Sequence, residues 1–338
     1  MALESTLAEG AARLESFLKN LASPRWTVVF FLMTAISVLL VKENLTQPTS
    51  AMVLPFSLLI LNLGSSIAIH PRFRADLPLL IFHLALLLIV ALFVVGRLTY
   101  MYGSINVLRS APFDGVVDKL DHGPLHGAGY RDLKFVHGRT IEKFNDEIGH
   151  HIEIRNLLRW QDVSGRWQET ELRFGYPIIM DGYRIYPSGR RGYVPIFEWQ
   201  PNHGPGELGA VQLFGANEEF AENSNDWLLP NGQKAWLLLE KKSPGPPPRG
   251  TVRTDLGASE LEHHLVVRIG DDRHELRLGD EMAISGGVLR YVKLESWGGY
   301  SLIYDPTEPW LIASLLIAVS AMGWFYYRRF NRSSGGGE

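Results

Sequence analysis

His83 is the only polar side chain inside a long apolar run, Asp76 to Arg97, and it is the best candidate for chemistry in this sequence. The run is about long enough to cross a bilayer as a helix, and His83 falls roughly two turns after its charged start. A histidine inside such a helix costs free energy unless it has a partner, so it marks a site. Neutral imidazole is a good axial ligand for haem iron. We therefore expect His83 to be an axial ligand of haem b iron or, alternatively, to hydrogen-bond to a neighbouring helix.

His70 is the second and weaker candidate ligand. It ends the preceding apolar run and is followed by Pro71, which stops a helix, and by Arg72 and Arg74. Membrane haems are commonly held by histidines from two helices. A second ligand could therefore come from His70 or from another protein, although His70 is close enough to water to need no partner.

The nine other histidines are in the polar middle of the chain. The pairs His150–His151 and His263–His264 are adjacent, and neighbours on a strand point to opposite faces, so neither pair is expected to chelate one metal. His122 and His126 flank a Gly-Pro and are therefore placed in a loop, where a ligand role is a minor alternative. The remaining three are expected to be surface residues: His137, His203 and His274.

Composition narrows the function classes further. The 338 residues carry a net charge of −3 and contain no cysteine. The missing cysteine excludes disulfides, thiol catalysis, zinc-finger sites and covalent attachment of c-type haem. The basic residues are scattered, which argues against a nucleic-acid-binding surface. Motifs for a serine nucleophile, a phosphate-binding loop or a zinc protease are absent, so we do not expect a self-sufficient enzyme, and an active site in the middle block is a minor alternative.

Four apolar runs must position these histidines, and they predict a membrane protein with four transmembrane helices, three N-terminal and one C-terminal. Tryptophans or tyrosines near the ends of the first and last runs are typical of membrane interfaces. The expected spans are about 26–41, 51–69, 77–97 and 309–327.

The flanking segments predict the topology. Residues 1–24 form an amphipathic helix, which either lies on the membrane surface or packs on a neighbouring subunit. Arginines and lysines concentrate at both ends of the chain and between the second and third runs, so both termini, including the tail 328–338, are expected in the cytoplasm. The block 99–308 is then outside, as a periplasmic domain of an inner-membrane protein, with the lipid bilayer as its first partner.

The block 99–308 predicts β structure, because apolar and β-branched runs alternate with glycine and proline. Strands are expected at 151–158, 182–186 and 193–199. Hairpins are expected over 265–278, with a longer turn, and at Gly286-Gly287. A proline-rich stretch at 243–250 is a candidate boundary between two β layers.

Tryptophans are frequent in the same block. They either line a flat surface that binds a porphyrin or a protein, or they form the core of the β domain. The residues concerned are Trp160, Trp167, Trp199, Trp227, Trp236 and Trp297.

Four segments resemble the ResB family, the membrane subunit of the system II machinery of cytochrome c biogenesis. The order of three spans, an outer β domain and a last span is also similar over nearly the whole chain. The segments are Leu21-Ala-Ser-Pro-Arg-Trp-Thr-Val-Val, Phe82-His83-Leu-Ala-Leu-Leu-Leu, the stretch from Glu171 to Gly189, and Tyr304-Asp305-Pro306.

The resemblance implies haem traffic. In that family the third-span histidine is thought to ligate haem together with a histidine of a CcsA/ResC-type partner, while haem passes outward for attachment to apocytochrome c. Only His83 carries over to this role. The resemblance adds a thioredoxin-like protein to the candidate partners, and it makes the chain at most one part of a cytochrome c haem lyase complex. The alternative is a ResB-like, haem-bearing or structural anchor subunit of a respiratory membrane complex.

Overall fold

The computed structural model describes residues 12–13, 15–145, 152–162, 164–214, 223–242 and 248–334. These residues fall into two compact units. The helical unit comprises the described residues of Met1–Met101, His122–His126 and Tyr304–Glu338, and the β unit comprises those of Tyr102–Asp121 and Gly127–Ile303.

The helical unit contains four helices that are long and apolar enough to cross a membrane, which confirms the predicted number and order of helices. Residues 15–21 are also helical, as expected for the N-terminal segment, of which residues 1–11 and 14 lie outside the described part. The first four helices carry proline in their first turn, where its missing N–H costs no hydrogen bond. The helices are α1 Pro24–Lys42, α2 Pro48–Ile69, α3 Pro71–Ala75, α4 Leu77–Thr99 and α5 Glu308–Ser334.

Helices α4 and α5 pack antiparallel, since each end of one meets the opposite end of the other. At one end Arg328 lies 3.7 Å from the carboxylate of Asp76. At the other end, a Cβ added to Gly96 would lie 2.8 Å from Oγ1 of Thr307, so the side chain just before α5 packs directly on the backbone of α4. The predicted third and fourth spans are therefore neighbours along their length.

Helices α1 and α2 are joined by a buried asparagine. The side chain of Asn62 accepts a hydrogen bond from Thr27 Oγ1 at 2.7 Å and donates to the carbonyl of Leu21 at 2.6 Å. Ser66 donates to the carbonyl of Ala22 at 3.2 Å. The second apolar run thus holds the junction between residues 15–21 and α1.

The β unit is built from fifteen described strands. They are β1 Met101–Leu108, β2 Lys119–His122, β3 Phe135–Phe144, β4 Ile152–Gln161, β5 Trp167–Arg173, β6 Ile178–Met180, β7 Tyr183–Pro201, β8 Glu207–Ala210, β9 Ser224–Leu228, β10 Lys234–Lys241, β11 Val252–Thr254, β12 His263–Ile269, β13 Asp272–Leu276, β14 Glu281–Ile284 and β15 Gly287–Tyr304. Short 3₁₀ turns lie at Gly129–Asp132 and Asp255–Gly257.

These strands form three sheets. A seven-stranded sheet has the order β2-β1-β15-β7-β6, with β14 added to β15 and β8 added to β7. The two four-stranded sheets have the orders β13-β12-β10-β9 and β11-β3-β4-β5. The main core lies between β7 and β15 of the first sheet and β10 and β12 of the second, where aromatic and aliphatic side chains interdigitate.

Most of the predicted β features are present. Strands β12 and β13 form the expected hairpin, although its turn has only two residues, Gly270 and Asp271. Strands β14 and β15 form the other, around Gly286. The runs at 182–186 and 193–199 are not separate strands: both belong to β7. The division near 243–250 stays a prediction, since 243–247 lie outside the described residues.

Candidate functional site

His83 lies in the second turn of α4, and its ring orientation is fixed by the helix backbone. The Nδ1 atom is 2.8 Å from the carbonyl oxygen of Leu79, one turn earlier. A carbonyl can only accept, so Nδ1 carries the proton and Nε2 of the neutral ring keeps its lone pair. Among the described residues Nε2 has no hydrogen-bond partner. Histidines that bind metals typically donate their other ring N–H to a carboxylate, a backbone carbonyl or water.

An aromatic side chain from the short helix α3 packs against this histidine. The buried ring of Phe73 lies 4.5 Å from the ring of His83, centroid to centroid. The guanidinium of Arg72 lies 5.1 Å from the centre of the Phe73 ring. His83 thus has an apolar wall and a nearby cation, while its own ring remains only half-buried by the described residues.

His70 is in the same part of the helical unit. It ends α2, and its Nδ1 donates to the carbonyl of Ser66 at 3.0 Å, as His83 does to Leu79. Its ring lies 6.3 Å from that of Phe73. Phe73 therefore contacts both predicted histidines, and both present Nε2 as the atom available to a ligand.

A cavity between α4 and α5 does not belong to this site. It has a volume of about 340 Å³ and is lined by Ile81 and by residues of α5, including Trp324. Successive helix residues are about 100° apart, so Ile81 and His83 point to nearly opposite sides of α4. His83 consequently faces away from α5, towards a side of α4 that is only partly covered by the described residues.

The donor set fits one axial position of a haem. The imidazole of His83, with its fixed tautomer, could supply that bond, and Arg72 could pair with a haem carboxylate. Among the described residues no cluster of three or more His, Cys, Asp or Glu side chains could hold a bare metal ion.

The structure also brings together His122 and His126, which the sequence placed in a loop. Their rings are 6.2 Å apart, and the ring of His126 lies 5.1 Å from that of Tyr304. Nδ1 of His126 donates to the carbonyl of Thr99, the last residue of α4, at 2.9 Å. The two histidines consequently lie near the end of α4 farther from His83.

Glycine at position 123 allows this loop to approach α4. A Cβ there would be 2.2 Å from the carbonyl oxygen of Leu98, which no relaxation of a side chain could relieve. The N–H of Gly123 donates to the carbonyl of Tyr100, and that of Leu125 donates to Leu98. The loop is thus hydrogen-bonded to the end of the helix.

The expectation that His137 is a surface residue was wrong. His137 is fully buried on β3, and its Nδ1 is 2.6 Å from the hydroxyl of Tyr300. Burial, helped by the positive charge of Arg109, lowers the pKa of His137 to about 4. Thr140 lies 3.5 Å from the other ring nitrogen and donates to Asn156 at 3.1 Å. Sequence reasoning missed this buried network, although His137 shares a strand face with buried Phe135.

Of the two adjacent histidine pairs, the structure describes only His263–His264. His263 is bound to the hydroxyl of Tyr291 at 2.7 Å and to the carbonyl of Leu261, whereas His264 pairs with Glu240 at 3.0 Å. The two rings therefore have different partners. The pair His150–His151 lies outside the described residues.

The tryptophans of the β unit differ in burial. Trp199 and Trp297 are buried in the β unit, and Trp227 packs against the main core. Trp167 is exposed, and the guanidinium of Arg159 lies over its ring at 5.7 Å. The buried members form core, so the tryptophans do not make one flat binding surface.

A large cavity of the β unit is balanced in charge. It has a volume of about 1420 Å³. Two of its cations pair with carboxylates of the same cavity: Arg109 with Asp255 at 3.1 Å and with Glu295 at 3.3 Å, and Lys242 with Glu262 at 3.1 Å. These internal pairs leave the cavity with little excess charge for attracting an ionic ligand.

Comparison with known proteins adds no assignment. The chain matches no protein-family model, and no curated protein matches it.

Proposed function

We propose that the chain is a membrane-spanning haem-handling protein in which His83 supplies one axial ligand. The observation that carries the proposal is the state of His83 itself. Its Nδ1–H is committed to the carbonyl of Leu79, which leaves the Nε2 lone pair open on a helix that is long and apolar enough to span a bilayer. A neutral imidazole inside a membrane costs free energy while its Nε2 lone pair is unsatisfied. A metal ion or a hydrogen-bond donor would satisfy it.

The second axial ligand is proposed to come from a partner membrane protein of the CcsA/ResC type. One observation supports this part: His83 faces away from α5, towards a side of α4 that the described residues cover only partly. His70 remains the internal alternative, because it also presents Nε2 and contacts the same Phe73 ring.

Within this proposal the chain serves cytochrome c maturation in the bacterial inner membrane. Both termini are cytoplasmic and the β unit is periplasmic. Haem is the cargo, destined for apocytochrome c, and the role of the chain is to orient and shield it: His83 binds the iron, Phe73 covers one side, and Arg72 can pair with a carboxylate. The resemblance to ResB in the segments around Ser23, His83 and Asp305 supports this choice of process.

The test is the haem content and visible spectrum, oxidised and reduced, of the full chain purified alone and with a co-expressed CcsA-like partner. We expect a b-type spectrum that needs the partner and is lost in His83→Ala. His203→Ala is the matched control, since His203 is exposed in the β unit, and its spectrum should equal that of the wild type. Colourless preparations in every case would refute the proposal.

The competing role, a haem-bearing or structural anchor of a respiratory complex, predicts a different outcome. A permanent haem in the chain purified alone, lost in both His83→Ala and His70→Ala, would indicate a resident cofactor held by two histidines of this chain. Co-purification with a dehydrogenase or oxidase core would point the same way.

A further inference from the structure

A cluster of exposed apolar and aromatic side chains occupies one end of the seven-stranded sheet in the β unit. We call it the aromatic patch. Two members are among the most exposed large side chains of the described residues: Phe174 is 84% exposed and Tyr176 is 74% exposed. The patch consists of Tyr102, Phe174, Tyr176, Ile179, Tyr186 and Ile303.

Strand register places part of the patch in one row on one face of the sheet. Ile303 on β15 is opposite Arg184 on β7, and Arg184 is opposite Ile179 on β6. Directly opposed residues project from the same face. Their neighbours Ile185 and Leu302 point to the other face and are fully buried. The sheet therefore buries one face in the core and presents apolar side chains on the face that would normally be polar.

A tight turn between β5 and β6 holds the two aromatic rings away from the core. The N–H of Tyr176 donates to the carbonyl of Arg173 at 3.0 Å, and Gly175 has a φ of +83°, which favours glycine. Phe174 and Gly175 line a cavity of about 550 Å³ together with Tyr102 and Tyr186. The turn thus presents two large rings without a packing partner among the described residues of its own unit.

Two cations also line this cavity, Lys119 and Arg190. Arg190 is fixed by hydrogen bonds to the hydroxyl of Ser104 and, at 3.3 Å, to the carbonyl of Ile105. Lys119 is exposed and has no carboxylate partner among the described residues. Aromatic rings beside basic side chains are the composition of protein segments that sit at the headgroup level of a bilayer.

Two members of the aromatic patch are close in sequence to the ends of apolar helices. Tyr102 is the third residue after Thr99, which ends α4, and Ile303 is the fifth residue before Glu308, which begins α5. An extended chain covers at most about 3.6 Å per residue, so these side chains start within about 11 Å and 18 Å of the two helix ends. A single headgroup layer is about 5–8 Å thick, so both residues can reach it when the two helices span the bilayer.

We propose that the aromatic patch inserts into the headgroup region of the bilayer on the side of the β unit, with Lys119 pairing with lipid phosphate. This inference rests on the proposed membrane-spanning role of the helices. The rings enter the apolar boundary and the cation remains with the phosphates, as in interfacial anchors. The turn Phe174–Tyr176 is then a lipid-binding element of the β unit, separate from the haem-binding residues.

The absence of cysteine in the chain allows a direct test with single labels. Phe174→Cys, Leu208→Cys and Leu88→Cys are each labelled with an environment-sensitive fluorophore in the full chain, in vesicles of phosphatidylcholine and phosphatidylglycerol. Leu208 is the matched control, because it is 74% exposed on β8, away from the patch. Leu88 lies at the middle of α4 and reports whether that helix is in lipid. Nitroxide-labelled lipids serve as quenchers.

We expect the label at position 174 to be quenched several-fold more strongly than the label at position 208, and its emission to shift to shorter wavelength. Equal, weak quenching at 174 and 208 with strong quenching at 88 would overturn the lipid-binding inference and leave the spanning role intact. Weak quenching at all three positions would overturn the spanning role itself. A label at 174 that is shielded from water but not quenched by lipid would show that a protein covers the patch, and would equally overturn the inference.

Discussion

Acidification should destabilise the β unit through His137. The imidazole is fully buried, and burial lowers its pKa to about 4, whereas an unfolded histidine titrates near 6.5. Below pH 6.5 the unfolded state therefore binds a proton that the folded state does not bind. Stability that is present at pH 7 is lost as the pH falls from about 6.5 towards 4.

The size of the effect follows from the two pKa values. Because of this difference in proton binding, the free energy of unfolding decreases by about 2 kcal/mol between pH 7 and pH 5. For a domain of this size that corresponds to a decrease of roughly 4–8 °C in Tm. The buried tryptophan Trp297 makes intrinsic fluorescence a suitable probe of unfolding in the β unit.

The comparison is between wild type and His137→Gln, whose amide can still accept from Tyr300. The variant should lose about 2 kcal/mol less stability than the wild type between pH 7 and pH 5. His203→Gln, at an exposed position, should keep the wild-type pH dependence. Equal losses in wild type and His137→Gln would refute the reasoning. If the variant does not fold, the NMR titration of His137 in the wild type decides: it should remain neutral at pH 5.

Three further substitutions test the packing inside each of the two units. Each is measured by thermal unfolding of the full chain in detergent. Glu142→Gln removes a fully buried carboxylate that binds Arg191, which is itself largely buried, and should cost about 3 kcal/mol; an unchanged Tm would contradict the assigned ion pair. Gly298→Ala places a methyl group 2.8 Å from the ring of His137 and should cost about 1–3 kcal/mol, so a wild-type Tm would mean that the strand can shift. Asn62→Leu removes the hydrogen bonds between α1 and α2 and should cost about 1 kcal/mol, and a gain in stability would show that shape matters more there than hydrogen bonding.

The sequence predicts the helices well because one property, a long apolar run, determines them. Each predicted span lies within the observed helix or nearly so, and the proline at 71 ends α2 as expected. The last helix is longer than predicted, continuing to Ser334, because polar residues can extend a helix beyond its apolar part. Helix pairing was not predictable, since it depends on single contacts such as that of Arg328 with Asp76.

The β unit was predictable in class but not in register. Gly189 and Gly192 look like turn residues, yet both lie within the 19-residue strand β7. Gly189 has a φ of +74°, and the pairing with β15 shifts between Gly298 and Tyr300, so glycine here belongs to a bulge. A glycine gives the same sequence signal for a bulge as for a turn.

Only part of the candidate site could be predicted from the sequence. A histidine in an apolar run singles out His83, but the hydrogen bond that fixes its tautomer depends on the ring orientation, which the sequence does not encode locally. Phe73 was also missed, because only the fold of α3 brings its ring against His83. His137 was misjudged because polarity alone suggested a surface position, whereas the alternation with Phe135 indicated an inward one.

The most direct test of the central claim is chemical rescue of the proposed ligand. His83→Gly, purified with the partner that gives the wild-type spectrum, is titrated with imidazole, and the reduced b-type absorption is measured. If His83 is an axial ligand, haem binding is lost in the variant and returns with added imidazole, while the wild type is unchanged. A variant that keeps the wild-type spectrum without imidazole would contradict the assignment of His83 as the haem ligand.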